Sequence, residues 1–206
     1  MSAGARPRRR WGYHSLEPRA ARRIVACAGV HPGDLVLDLG AGSGALTAPL
    51  LAAGARVLAV ELHPGRVEQL LRRFPAGGPG SGAAVEVRRG DLLTTPLPQA
   101  PYRVVANPPW SLLESLRERL LRSPSLIRAD IVVPRWVARK WARQYPRIGI
   151  GGSVPREAFC PSAPAGAAVA IVIGRRPPNA DAGPPPGHDE LSPRRDGRRI
   201  APAAAR

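Results

Sequence analysis

Short apolar runs alternate along this chain with stretches whose apolar residues recur at helical intervals. The apolar runs predict strands near residues 35–39, 56–61, 84–88, 102–106, 129–133 and 167–173. The helical intervals predict helices within 18–28, 45–53, 66–74 and 112–121, and the Gly- and Pro-rich stretch 76–82 is typical of a loop. This alternation indicates an α/β fold, in which a parallel sheet is covered by helices on both faces.

A glycine turn follows the first predicted strand. Gly40, Gly42 and Gly44 lie between the apolar run and the next helical stretch, so the segment predicts a strand, a tight turn and a helix. Glycines at this place let the backbone approach a ligand closely. Glu61 ends the next strand about 20 residues later, the spacing at which an acid holds ribose hydroxyls. Asp91 follows the third strand, where an acid can meet an adenine edge.

Two classes of cofactor fit this pattern. Gly40, Gly42 and Ala45 satisfy the looser dinucleotide fingerprint, which keeps a nicotinamide or flavin enzyme open. S-adenosylmethionine accounts for more residues, because Asp38 and the glycines then lie beside the methionine portion, with acids left for the ribose and the adenine. Each of these sites falls at the carboxyl end of a candidate strand, where open α/β sheets bind ligands.

The tetrapeptide 107–110 (Asn-Pro-Pro-Trp) follows the fourth strand and predicts chemistry on a planar nitrogen. An exocyclic amine such as adenine N6 is a poor nucleophile because its lone pair is delocalised into the ring. The Asn107 side-chain oxygen and the Pro108 carbonyl can each accept one amine proton, and Trp110 can stack on the ring. The simpler alternative is a turn that ends the strand, since Asn-Pro commonly opens turns.

The residues at 38–47, 60–62, 90–91 and 107–110 resemble the motifs of the rRNA adenine N6-methyltransferases, the Erm and KsgA family, in order and spacing over residues 11–174. The resemblance implies a class I S-adenosylmethionine-dependent methyltransferase fold, Rossmann-like, with a mostly parallel central sheet and a reversed final strand. It implies catalytic roles for Asn107, Pro108 and Trp110. It also implies that the cofactor contacts His14, Leu16, Asp38, Gly40, Gly42, Glu61, Leu62, Asp91, Leu92 and Asn107.

Two segments depart from the family pattern at positions that bear on the site. His14 stands where the family has Asn, and Pro108 and Trp110 replace the more frequent Leu or Ile and Tyr or Phe. Short actinobacterial Erm-type proteins share the Trp-Gly-aromatic-His opening and the Asn-Pro-Pro-aromatic loop. That subgroup implies methylation of large-subunit (23S) rRNA and resistance to macrolide, lincosamide and streptogramin antibiotics.

The chain carries 31 basic against 15 acidic residues, a net charge of +16, which favours a polyanionic partner. The predicted RNA contacts form two clusters, Arg6, Arg8, Arg9, Arg10 and Trp11 at the start and Arg135, Arg139, Lys140 and Arg143 later, the second interleaved with Trp136, Trp141 and Tyr145. Helical spacing places the later cluster on one face. GC-rich coding is the alternative origin of the arginines. The expected partner is large-subunit rRNA or its precursor particle, bound by a monomer.

Composition divides the chain into three parts. We expect a basic arm and cofactor-covering segment over 1–17, the methyltransferase domain over 18–174 and a disordered Pro- and Arg-rich tail over 175–206, in place of the family's C-terminal helical domain. Cys27 and Cys160 are isolated, so no metal site or disulfide is expected. No apolar run reaches the ~20 residues of a membrane span, and a cytoplasmic protein is expected.

Three other functions remain open. The Asn-Pro-Pro-aromatic loop also serves DNA adenine methyltransferases and enzymes that methylate protein glutamine. A non-catalytic RNA-binding or assembly module with the same fold is the third.

Overall fold

The structure is a computed structural model that describes residues 14–75 and 84–175. The predictions for Arg6, Arg8, Arg9, Arg10 and Trp11, for the loop 76–82 and for the tail beyond Arg175 lie outside the described residues.

One mixed sheet of seven strands organises the described part of the chain. Its strands are β2 (Leu35–Leu39), β3 (Arg56–Glu61), β4 (Val85–Arg89), β5 (Tyr102–Ala106), β6 (Leu126–Pro134), β7 (Ile148–Val154) and β9 (Ala167–Ile173), and a separate antiparallel pair is formed by β1 (Ser15–Leu16) and β8 (Phe159–Cys160). The order across the sheet is β4-β3-β2-β5-β6-β9-β7. β2 to β6 are parallel, whereas β9 is antiparallel to both neighbours. The predicted parallel sheet with a reversed final strand is confirmed.

Helices cover both faces of this sheet. They are α1 (Pro18–Cys27), α2 (Thr47–Ala52), α3 (Pro64–Arg73), α4 (Leu113–Arg122) and α5 (Arg135–Gln144). One core cluster joins α1, α2 and α3 to alternate strand residues such as Val36 and Val105, and the other joins α4 and α5 to Leu37 and Val104. Because successive strand residues point to opposite faces, every strand of the sheet except the edge strand β4 supplies residues to both cores.

The sequence pattern misses one strand of the sheet. β7 carries three glycines between Ile148 and Val154, and its pairing with β9 is irregular between Ile150 and Ser153. A Gly-rich edge strand has no apolar run, so the periodicity gives no signal there. α2 begins at Thr47, two residues later than predicted, because Ala45 still belongs to the glycine turn.

Gly44 holds the end of the glycine turn against α3. Its φ is +85°, and a Cβ there would lie 2.5 Å from Cε2 of Phe74. Gly29 also has a positive φ, +63°, but a Cβ there meets nothing within 4 Å. The two positions therefore separate backbone strain from steric overlap.

We predict that Gly29→Ala lowers the free energy of unfolding by ~1–2 kcal/mol, the strain of a left-handed alanine. Gly44→Ala adds overpacking against Phe74 and loses a further ~1–3 kcal/mol. Urea unfolding of both variants measures the difference. Equal losses in the two variants would contradict the packing of the turn against α3.

Candidate active site

A cleft of about 330 Å³ opens where β3, β4 and β5 end. Nine predicted site residues line it: His14, Gly40, Glu61, Leu62, Asp91, Leu92, Asn107, Pro108 and Trp110. Leu16 and Asp38 line a smaller adjoining cavity that shares Gly40 and Asn107 with the cleft. The volume lies in the ~300–1,000 Å³ range of small-molecule sites.

The glycine turn after β2 lies against the end of β3 and against the loops after β4 and β5 at this cleft. The N–H groups of Gly40 and Ala41 donate to the Val60 carbonyl at 2.9 and 3.0 Å, which joins the turn to the end of β3. Gly40 has a φ of +81°, and a Cβ there would touch Leu92 at 3.4 Å and Pro108 at 3.7 Å. These distances are ordinary van der Waals contacts, so glycine is required here by the backbone conformation and not by a lack of space.

Glu61 is a buried carboxylate held by two backbone donors. Its Oε2 accepts the N–H of Gly42 and its Oε1 accepts the N–H of His63, both at 2.8 Å. Gly42 lines neither cavity and instead fixes this acid. Each carboxylate oxygen can accept more than one hydrogen bond, so Glu61 keeps acceptor capacity for the two hydroxyls of a ribose.

Asp38 lies deeper, with only 1% of its surface exposed. The pKa of Asp38 is raised to about 7, mainly by burial and in smaller part by the nearby Glu61 carboxylate, while the hydrogen bond from Thr47 opposes the shift. The Thr47 hydroxyl donates to Asp38 Oδ2 at 2.7 Å. A buried acid beside a cavity gains from a cationic ligand, because the cation offsets the cost of ionisation.

The loop after β4 presents Asp91 to the cleft. Asp91 Oδ1 accepts the Leu93 N–H at 2.7 Å, and the Asp91 carbonyl accepts the Thr95 N–H and hydroxyl, each at 2.8 Å. Arg119 of α4 ties down the same loop by donating to the carbonyls of Leu92 and Thr95. Sequence reasoning missed Arg119, because its partners are 27 and 24 residues away and no local pattern marks it.

The three acids fit the polar groups of S-adenosylmethionine. That cofactor carries an ammonium group, two ribose hydroxyls and an adenine amine, all of which donate hydrogen bonds. Asp38 in β2, Glu61 at the end of β3 and Asp91 after β4 supply one acceptor group for each of these three donors, in that order. The donor set of the cofactor and the acceptor set of the site are therefore complementary.

Asn107 has a defined amide orientation. Its Nδ2 donates to the backbone carbonyl of His14 at 2.8 Å. Because a carbonyl only accepts, the nitrogen must lie on this side, and Oδ1 is left as an acceptor at the cleft. His14 in turn places its Nδ1 3.0 Å from the Pro161 carbonyl. His14 was predicted as a cofactor contact, and its backbone also orients Asn107.

Pro108 and Trp110 complete the loop. Pro108 is buried and has no N–H, and Trp110 opens a single 3₁₀ turn, Trp110–Leu112. The rings of Trp110 and His14 are 6.2 Å apart between centroids and tilted by 32°. An aromatic face therefore borders the cleft within the same loop as Asn107.

The predicted basic face of α5 is exposed, at Arg135, Trp136, Arg139, Lys140 and Arg143. Trp136 is 64% exposed. Lys140 is paired with Glu114 at 2.8 Å, which reduces the free charge. In the described part of the chain Arg139 and Arg143 have no hydrogen bond or ion pair.

The prediction that Trp141 lies among these surface residues is wrong. Its side chain is fully buried in the core, and its Nε1 donates to Glu114 at 3.2 Å. Tyr145 is half-buried, with the Arg117 guanidinium 4.2 Å from its ring centroid. Trp141 is used in packing because the helical interval turns it toward the sheet. Tyr145, in extended conformation just after α5, packs against the same core cluster.

Within 14–75 and 84–175, no group of three His, Cys, Asp or Glu side chains could hold a metal ion. None of the helices in those ranges has both the length and the apolar composition to cross a membrane.

We predict that Asp38→Asn changes how stability depends on pH. The pKa of about 7 for Asp38 in the folded protein lies above its ordinary value of 3.8, so the stability that Asp38 contributes is complete below pH ~4 and is lost as pH rises through ~7. The variant escapes this loss and should be more stable than the wild type at pH 8 by on the order of 2–4 kcal/mol, with no gain at pH 4. Urea unfolding of both proteins between pH ~4 and pH ~8 tests this prediction. If the free energy of unfolding depends on pH in the same way in the variant and the wild type, Asp38 is not a buried carboxylate with a raised pKa.

Comparison with known proteins agrees with this geometry. The family model described as "Methyltransferase domain" matches residues 36–122. A ribosomal RNA small subunit methyltransferase A of Acidothermus cellulolyticus is 34% identical, with 93% of this chain and 70% of the relative covered. An rRNA adenine N-6-methyltransferase of Streptomyces fradiae is 35% identical over 69% of this chain and 44% of the relative.

The crystal structure of the 23S rRNA methyltransferase ErmE superimposes with a TM-score of 0.68, at 24% identity, over 77% of this chain and 69% of that one. The chain spans about half the length of several curated relatives it matches, 43%, 51% and 53% in three of them. The class I methyltransferase fold, the glycine turn with its acids and the similarity over 70% of a relative lead to one conclusion. The chain belongs to the rRNA adenine N6-methyltransferase family of the KsgA and Erm enzymes, whose methyl donor is S-adenosylmethionine.

Proposed function

We propose that this chain transfers a methyl group from S-adenosylmethionine to N6 of an adenine in large-subunit (23S) rRNA, and thereby confers resistance to macrolide, lincosamide and streptogramin antibiotics. The observation that carries the chemistry is the orientation of Asn107. Its nitrogen is bound to the His14 carbonyl, so its oxygen is the atom available to a substrate amine.

Two acceptors activate the amine of the target adenine. The Asn107 oxygen and the Pro108 carbonyl each accept one N6 proton, which draws the nitrogen lone pair out of the ring and toward tetrahedral geometry. Positive charge develops on N6 as the new bond forms, and both oxygens stabilise it. Pro109 adds no competing N–H in this loop.

The aromatic face of Trp110 holds the base. An adenine can be recognised only after it leaves its stack, and stacking on an aromatic side chain replaces part of the lost interaction. Trp110 lies in the same loop as Asn107, so base binding and amine activation occur together.

The cofactor supplies an electrophilic methyl group on a sulfonium. Asp38 binds its ammonium, Glu61 its ribose hydroxyls and Asp91 its adenine amine. Leu62 and Leu92 border the cleft and offer apolar contact to the adenine ring. Because Asp38 also gains a cationic neighbour, cofactor binding favours the ionised carboxylate.

The basic face of α5 and the N-terminal basic cluster serve as contacts to the RNA backbone. Arg139 and Arg143 are exposed and spaced one helical turn apart, and the exposed Trp136 adds a stacking surface. The partner is large-subunit rRNA or its precursor particle, bound by a monomer in the cytoplasm.

Small-subunit rRNA is the second candidate substrate, because the similar protein of Acidothermus cellulolyticus is a small-subunit methyltransferase. The large subunit is favoured by the opening Trp-Gly-aromatic-His and the Asn-Pro-Pro-aromatic loop, which resemble the short Erm-type proteins. A DNA or glutamine methyltransferase would use the same acceptors. A non-catalytic module would have no need of the complete acceptor set at this cleft.

We predict that Asn107→Ala lowers kcat for methyl transfer ~10²–10³-fold, as loss of one acceptor at the developing charge does elsewhere. Affinity for S-adenosylhomocysteine, measured by calorimetry, should change little, because Asp38, Glu61 and Asp91 remain. Ser111→Ala, in the same cleft wall, is the matched control and should keep the wild-type rate. Full activity in the Asn107 variant would rule out its role.

We predict that protein and labelled S-adenosylmethionine transfer label to large-subunit rRNA transcripts and not to small-subunit rRNA, duplex DNA or protein. Nuclease mapping of the labelled transcript should place the label in one adenine near the peptidyl-transferase centre. Label in small-subunit rRNA alone would keep the chemistry and discard the proposed substrate. Absence of label in every acceptor would favour the non-catalytic module.

A further inference from the structure

A second groove lies outside the cleft, and nothing in the proposed chemistry uses it. It encloses about 450 Å³ between β1, α1, the glycine turn, α2 and the end of α3. We call it the α1–α2 groove. Its walls include Pro18, Arg22, Ser43, Ala48, Pro49 and Arg73.

The α1–α2 groove is positively charged. Arg22 of α1 and Arg73 at the end of α3 both line it, and none of the described residues lining it is acidic. Arg22 makes no hydrogen bond or ion pair within the described part of the chain. Two guanidinium groups without a carboxylate between them favour an anion.

Arg73 is held in place on the groove wall. Its Nη1 donates to the Ser43 carbonyl at 2.9 Å, and its guanidinium lies 5.1 Å from the Phe74 ring centroid. A guanidinium has five N–H donors, so most of them remain available to a ligand. The arginine is therefore preorganised at lower entropic cost than a freely rotating one.

The groove adjoins the site of methyl transfer. Ser15, Leu16 and Ala45 line both the α1–α2 groove and the small cavity that contains Asp38 and Asn107. A ligand in the groove would therefore lie next to the cavity that contains Asn107. Apart from the two arginines, the remaining wall consists of the small residues alanine, proline and serine, which leaves room for a nucleic-acid backbone to lie close.

We propose that the α1–α2 groove binds phosphodiester groups of the RNA beside the adenine that enters the site, with Arg22 and Arg73 as the phosphate contacts. The inference rests on the proposed function, since it concerns the same RNA. Phosphate contacts fix the register of a nucleic acid without reading its bases. Binding here would hold the strand on one side of the cleft while the target base is turned into it.

The test compares Arg22→Gln, Arg73→Gln and the double variant with Arg72→Gln. Arg72 is the neighbouring residue on α3, pairs with Glu68 at 3.8 Å and does not line the groove, so its variant controls for loss of one charge. The probe is a large-subunit rRNA transcript, with binding measured by filter retention between ~50 and ~200 mM KCl. S-adenosylhomocysteine affinity and thermal unfolding are measured on the same samples.

The expected result is a weaker RNA affinity for each groove variant and a salt dependence that falls by ~0.7–0.9 in slope for each phosphate contact removed. In the double variant the decrease in slope should be about twice that of a single variant, and the affinity for S-adenosylhomocysteine should be retained. Arg72→Gln should match the wild type.

Two outcomes separate the possible failures. If the wild type methylates the RNA and the double variant keeps the slope of Arg72→Gln, the groove inference is wrong and the proposed function stands. If the wild type neither binds nor methylates RNA, both are wrong.

Discussion

The hydrogen bond from the Asn107 side chain to the His14 carbonyl decides what the site can do. An amide that pointed the other way would offer two protons to a substrate amine instead of an acceptor. The carbonyl is itself held by structure remote in sequence, because β1 pairs with β8 and the His14 ring reaches the Pro161 carbonyl. The Glu17 N–H adds a bond to the Ala158 carbonyl at 2.8 Å. The acceptor at the cleft therefore depends on the segment near residue 160.

Burial of acids is the second constraint on this site. Asp38 and Glu61 are both buried, and their mutual repulsion adds to the desolvation that raises the pKa of Asp38. Thr47 and the backbone of the glycine turn reduce this cost without removing it. The unliganded site is thus electrostatically unfavourable, and a ligand that brings an ammonium group relieves it. Under the proposed function, in which Asp38 binds the ammonium group of the cofactor, stability and cofactor affinity are opposed at this residue.

The fold and the members of the site could be predicted where the signal is local. The apolar runs, the glycines and the acids at strand ends are patterns within a few residues, and the structure brings nearly all of them to one cleft. β7 could not be found, because its glycines remove the apolar run. Lys140 and Trp141 both contact Glu114, a partner 26 or 27 residues away that no periodicity reveals. The role of Gly42 in holding Glu61 likewise requires the fold.

The fate of the methyl group tests the central claim most directly. RNA incubated with the protein and S-adenosylmethionine can be digested to nucleosides and analysed by mass spectrometry against standards. The acceptor arrangement at Asn107 predicts N6-methyladenosine, since both oxygens act on the exocyclic amine. A methyl group on a ring nitrogen, on carbon or on a ribose hydroxyl would contradict the account, because none of those atoms needs two acceptors.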